Sequence, residues 1–146
     1  MYGALNISTS GMIAQRTRMA VISANIANAD TLLDSQGNLS PYKKRIVHFA
    51  PGDPSAADPA GRGMGVHVSE IAKDEDAVRW KYEPGSKYAN DDGYVPYPDI
   101  SPQIEQINAM SAARAYEANV VAAETTKTMM ATKATTTTST ATAATT

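Results

Sequence analysis

The stretch MIAQRTRMAVISANIANAD, residues 12–30, decides how this chain is built. Met12, Met19 and Ile26 sit seven residues apart, and Leu5 and Leu33 continue the interval on either side. Such an interval marks one narrow stripe on a helix. Asn28, Ala29, Asp30 and Thr31 then read as a stop, because Asn tolerates the left-handed backbone that closes a helix and Asp favours turns. Residues 1–33 are therefore expected to form an N-terminal helix, regular from about Met12 to Ala27. Ser8, Thr9, Ser10 and Gly11 are poor interior helix formers, so the first turns are expected to fray or begin late.

The far end repeats the pattern. Ile104, Ile107, Ser111, Ala115, Ala118, Ala122, Thr125 and Met129 follow steps of three and four. Pro98 and Pro102 stand at the entry, where a missing N–H costs least, with Ser101 placed to cap and Glu105 in the first turns. Residues 98–131 thus read as a second helix. Neither stripe is wide enough to build a core alone, so each needs a partner helix, and the nearest is the other end of the same chain. The fold class expected is α+β, with the two terminal helices paired in a coiled-coil-like domain and a small β-rich segment between them. Residues 132–146 are almost all Thr and Ala; Thr is a weak helix former, and this tail is expected to be mobile in an isolated molecule.

Residues 34–97 read as short strands and loops. Asp34 to Asn38 contains a turn, Tyr42 to Phe49 is rich in strand formers, and Val66, Val68 and Ile71 suggest another strand. Pro51 to Gly65 has no periodicity and reads as a loop. Val78, Trp80 and Tyr82 alternate with Arg79 and Lys81, which predicts a half-buried strand with Trp80 as anchor of a small β core.

Composition narrows the function. The apolar fraction is 42%, much of it Ala, with one Trp and one Phe, so the core should be modest. A net charge of −2, with Lys43, Lys44 and Arg45 as the one short basic run, argues against nucleic acid as a partner. No cysteine is present, which excludes disulfides and thiolate chemistry. No apolar run approaches the roughly 20 residues needed to span a bilayer, and Arg16 and Arg18 interrupt the region where a signal peptide would be most apolar. The chain is therefore expected to stay in the cytoplasm or to leave without a cleaved signal. Gly61, Gly63 and Gly65 lack the Lys-Ser/Thr pair of a phosphate loop. His48 and His67 have no carboxylates at ligand spacing, and Asp91-Asp92-Gly93 is followed by Val95 and Tyr97 rather than calcium ligands. Asp74 to Asp76 reads as a solvated loop. No catalytic, cofactor or metal site emerges, and the residues point away from an enzyme.

Three segments carry a resemblance. Ser23-Ala24-Asn25-Ile26-Ala27-Asn28-Ala29-Asp30-Thr31, ending the first helix, resembles the N-terminal signature of bacterial flagellar rod and hook proteins. Met110-Ser111-Ala112-Ala113-Arg114-Ala115-Tyr116-Glu117-Ala118-Asn119-Val120 resembles the matching C-terminal signature. Asp92 to Ile100, preceded by Tyr82-Glu83-Pro84-Gly85, is similar to the short proximal-rod members of that axial family, and the resemblance spans about residues 3–133. The loop from Pro51 to Gly63 matches no signature, and the Thr/Ala tail stands where the family usually has a more apolar helix end.

The resemblance implies a structural subunit of the basal-body rod. Such subunits leave through the flagellar type III export apparatus without a cleaved signal. In the periplasmic space they polymerise with copies of themselves and other rod proteins into a helical tube that transmits torque and encloses the export channel. It places Met12, Met19, Ile22 and Ile26 against a C-terminal helix of the same or an adjacent subunit, with Ile104, Ile107, Ala115, Ala118 and Val121 facing them. Asn25, Asn28 and Asn119 fall within the signatures as candidate subunit contacts, and Arg114 and Tyr116 as interface anchors. Two other readings stay open: a different rod or hook-junction protein, or a small soluble enzyme or binding domain.

Overall fold

In the computed structural model, residues 2–52 and 65–143 are described. The element order is α1 (Tyr2–Ala27), β1 (Arg45–Pro51), β2 (Val66–Lys73), β3 (Val78–Tyr82), β4 (Tyr94–Pro98) and α2 (Pro102–Ala143). Most of the loop expected between Pro51 and Gly65 lies outside the described residues, including Gly61 and Gly63.

The terminal helices pair within the chain. Gly11 lies against Asn119, and Asn25 reaches Glu105. The two contacts are fourteen residues apart along each helix (11 to 25, 105 to 119) and in opposite chain order, so the helices run antiparallel.

Three expectations about these helices need correction. The helix α1 begins at Tyr2 rather than late. Its small residues are there for close approach: a Cβ on Gly11 would sit 2.6 Å from Asn119 Oδ1. Ser10 Oγ accepts the Val66 N–H at 3.1 Å while donating to the Ile7 carbonyl at 2.7 Å. The stop after Ala27 uses no left-handed Asn, since no described residue other than glycine has a positive φ. Instead the Asn28 side chain donates to the Ala24 carbonyl at 2.8 Å, and Thr31 N–H turns back to the Asn28 carbonyl at 3.2 Å. Finally, α2 continues to Ala143, through most of the stretch expected to be mobile. Ala favours helix, and this outweighs the threonines, although the hydroxyls of Thr125, Thr126, Thr128 and Thr132 each donate to the carbonyl four residues back.

Two compact units divide the chain. One draws on residues 1–16, 49–67 and 113–146. In its described part Ser8, Gly11 and Ala14 are buried. Gly52 N–H donates to the Gly65 carbonyl at 2.9 Å, and His67 Nδ1 lies 2.8 Å from the Gly52 carbonyl. The other unit draws on residues 17–48 and 68–112. Its buried residues include Val21, Ile22, Ala29, Ala77, Val95, Ile100 and Ala112.

The strands form two two-stranded sheets, β1 with β2 and β3 with β4. The residue before β1, Lys44, bonds the residue after β2, Asp74, at 2.8 Å, while Gly52 just past β1 bonds Gly65 just before β2. The first sheet is therefore antiparallel. In the second, Val78 pairs with Pro98, Trp80 with Pro96 and Tyr82 with Tyr94. Strand β4 carries two prolines, which suits an edge strand with no further neighbour to bond. Trp80 is not the expected anchor: it is 58% exposed, and on its face of the ribbon burial is confined to the end where Val78 pairs with the fully buried Pro98. The opposite face holds the core through Val95, which is fully buried.

Candidate functional site

The helix-face assignments hold the main surprise. On α2 the residues turned inward are Glu105, Asn108, Ala112, Tyr116, Asn119, Ala123 and Thr126, spaced by three and four. This stripe lies one position beyond the apolar one. Ile104, Ile107, Ser111, Ala118, Ala122, Thr125 and Met129 are exposed, Ile107 at 66%, and so is Val121 at 60%. On α1 the shift runs the other way, Gly11 and Asn25 standing one position before Met12 and Ile26. Ser8, Gly11, Ala14, Val21, Ile22 and Asn25 are buried, while Met12, Met19 and Ile26 are only half-buried. Small and polar residues thus make the intramolecular seam, because they let two helix backbones approach closely.

At the end of α1 the seam becomes a buried polar knot. Asn25 is 1% exposed and Glu105 2%. Asn25 Nδ2 donates to the Arg45 carbonyl at 2.9 Å and to Glu105 Oε2 at 3.2 Å. Its Oδ1 accepts the Arg45 N–H at 3.0 Å and the Tyr42 hydroxyl at 3.4 Å. Glu105 Oε1 lies 3.2 Å from Lys44 Nζ and accepts Asn108 Nδ2 at 3.3 Å. A buried carboxylate needs such partners, since desolvation without them costs several kcal/mol, roughly. Three segments (α1, the start of β1 and α2) are joined by this one network. Spacing alone gave no sign of it, as Asn25 read as a candidate subunit contact and Glu105 as a dipole-satisfying residue.

Ile22 is buried within the chain; Ala115, Tyr116 and Asn119 are half-buried, Asn119 donating to the Ala115 carbonyl at 2.8 Å. Asn28 is half-buried and bonded within its own helix end. Arg114 and Ala118 are exposed.

A pocket of about 240 Å³ lies beside the knot, lined by Thr31, Leu33, Asp34, Ser40, Pro41, Tyr42, Lys43, Arg45 and Lys73. The Asp34 carboxyl is held below its usual value, first by the Asn38 N–H and then, against some burial, by that of Gln36. Those bonds, 2.9 and 2.8 Å, belong to a tight turn in which Gly37 takes φ +81°. On the β3–β4 ribbon, Lys81 depresses the Glu83 carboxyl, while burial and then Glu83 raise the Tyr97 hydroxyl. Both groups are half-buried, and the Tyr97 hydroxyl donates to Glu83 Oε2 at 3.2 Å. Among the described residues no three His, Asp or Glu side chains cluster as metal ligands, and no helix is long and apolar enough to cross a membrane.

The family model described as flagella basal body rod protein matches residues 5–32. The flagellar basal-body rod protein FlgC of Bacillus subtilis (strain 168) is 36% identical over 139 residues, covering 88% of this chain and 93% of the relative. FlgC of Borreliella burgdorferi is 34% identical over 142 residues, with 88% and 92% covered. FlgC of Escherichia coli O6:H1 is 37% identical over 125 residues, with 86% and 89% covered.

Proposed function

The chain belongs to the FlgC family of flagellar basal-body rod proteins and is a structural subunit of that rod; from this premise we propose that it polymerises with copies of itself and with other rod proteins into a helical tube. The tube transmits torque and encloses the export channel. Subunits reach it through the flagellar type III export apparatus, without a cleaved signal, and assemble in the periplasmic space.

The observation that carries this reading is the exposed apolar stripe of α2. Ile104, Ile107, Val121 and Met129 lie open along one helix whose adjacent stripe is already paired within the chain. Burying a large aliphatic side chain is worth about 1.5–3 kcal/mol, so a stripe of them left in water is a strong drive to associate. Among the sequence candidates we assign Ile104, Ile107, Arg114, Ala118 and Val121 to the contact between subunits. Met12, Met19, Ile26, Ala115, Tyr116 and Asn119 stand at its rim. Ile22, Asn25 and Asn28 act inside the subunit. Contacts between unlike surfaces that do not close a ring give an open helical array.

Ile107→Asp and Val121→Asp test the assignment. The substituted chain is expected to keep its thermal midpoint, since exposed positions usually change stability by less than about 0.5 kcal/mol. It is expected to vanish from purified basal bodies, with loss of swimming. Normal incorporation of both variants would refute the assignment.

A further inference from the structure

We propose that the basic pocket beside the knot is the docking site for the Asp91–Asp92 turn of a second copy of this chain, an inference that rests on the rod-subunit reading. The pocket holds three cations, Lys43, Arg45 and Lys73, against one acid. That acid, Asp34, is committed to its own turn by the Gln36 and Asn38 N–H groups. Lys43 is committed to Glu75, donating to its carbonyl at 2.6 Å. Arg45 and Lys73 remain. The Asp74 to Lys44 backbone bond sets them next to each other across β1 and β2, and like charges across neighbouring strands repel. Among the described residues neither has a carboxylate within ion-pair reach; Arg45 only overlies the Tyr42 ring at 5.6 Å. Among the described residues the cation pair is therefore uncompensated in a preformed recess, and an Arg fork favours a carboxylate.

The complement is on the same chain. At the β3–β4 turn, Asn90 Oδ1 accepts the N–H groups of Asp92 at 3.1 Å and Tyr94 at 2.8 Å. Gly93 takes φ +81° and donates to the Asn90 carbonyl at 2.9 Å. The turn is thus preformed, and both aspartates are exposed with no cation partner among the described residues. A small free anion would fill the pocket and leave this acid pair unexplained. A second copy satisfies both at once, through two unlike surfaces, the kind of contact an open helical array requires.

The test uses basal bodies from the source bacterium with the variant chain as its sole copy. The chain has no cysteine, so a Lys73→Cys, Asp92→Cys pair reports cleanly. A short bis-maleimide, which spans the length that the lysine and aspartate side chains leave, is expected to give a cross-linked species of two copies with the double variant and none with either single. Independently, Arg45→Glu with Lys73→Glu, or Asp91→Lys with Asp92→Lys, should each lower the chain's content in basal bodies by about tenfold, and all four together should restore it. Rods that contain the cysteine variants yet give no two-copy species would overturn the proposal, as would a fourfold reversal no better than the worse pair. If the reversed chains lose their circular dichroism signal, the cysteine pair decides alone. Absence of the unsubstituted chain from purified rods would instead remove the rod-subunit reading itself.

Discussion

Gly11 separates two pulls that a sequence pattern cannot. In a helix interior glycine costs about 1 kcal/mol relative to alanine, so Gly11→Ala ought to stabilise α1. Yet the added Cβ would stand 2.6 Å from Asn119 Oδ1 and 2.9 Å from its Cγ, and that amide is bonded to the Ala115 carbonyl. Overpacking of this kind costs about 1–3 kcal/mol. Gly11→Ala is therefore expected to destabilise by about 1 kcal/mol net, and Asn119→Ala in the same chain to reverse the sign by removing the obstacle. Urea unfolding of the two singles and the double checks it; a stabilised Gly11→Ala single would mean the helices sit further apart than the contact implies. The same residues mark the limit of what could be read beforehand. Gly11 and Ser10 look like helix breakers in sequence because only the structure supplies Asn119 and the Val66 N–H. Asn25 looks like a subunit contact because its partners within the chain lie 20 and 80 residues away.

For whole elements, legibility followed the type of side chain that is buried. The end of α1 at Ala27, the β3 strand and the Asp34 turn were all readable from local chemistry. The inward faces of the helices were not, since apolar spacing marks a stripe that the single chain leaves exposed on α2, whereas the intramolecular seam there takes small and polar residues. Strand β4 was hidden by Pro96 and Pro98. The C-terminal part of α2 was hidden by its threonines, which are weak helix formers. Their hydroxyls bond back to carbonyls in the preceding turn, an arrangement that slightly weakens a helix. Thr125 and Thr128 are exposed and donate to Val121 and Glu124. Replacing both with Ala should raise the stability of this helix by about 1 kcal/mol, seen as greater helical circular dichroism in the full chain. A fall in helix content would show that the hydroxyls hold the helix rather than tax it.

At the scale of the molecule, the question is which part of the chain folds by itself. Sequence boundaries mark off a small β-rich segment, residues 34–97. The compact unit that contains most of it also takes residues 17–33 and 98–112. Residues 34–97 alone would lack Val21, Ile22, Ala29, Ile100 and Ala112 from the buried set. They would also lack both buried members of the polar knot, leaving the Arg45 N–H and carbonyl without the Asn25 amide. A two-stranded ribbon with an exposed Trp80 face has little else to hold it, and isolated hairpins are marginal at best. A fragment of residues 34–97 is therefore expected to show no cooperative thermal transition and no dispersed amide spectrum. A fragment of residues 17–112 restores the missing groups and is expected to show both. If the short fragment folds on its own, the knot is dispensable and the middle of the chain is an independent module strung between two helices. If only the longer one folds, the terminal helices belong to the fold of every subunit before any neighbour arrives, and the apolar stripe of α2 is free to meet the next subunit.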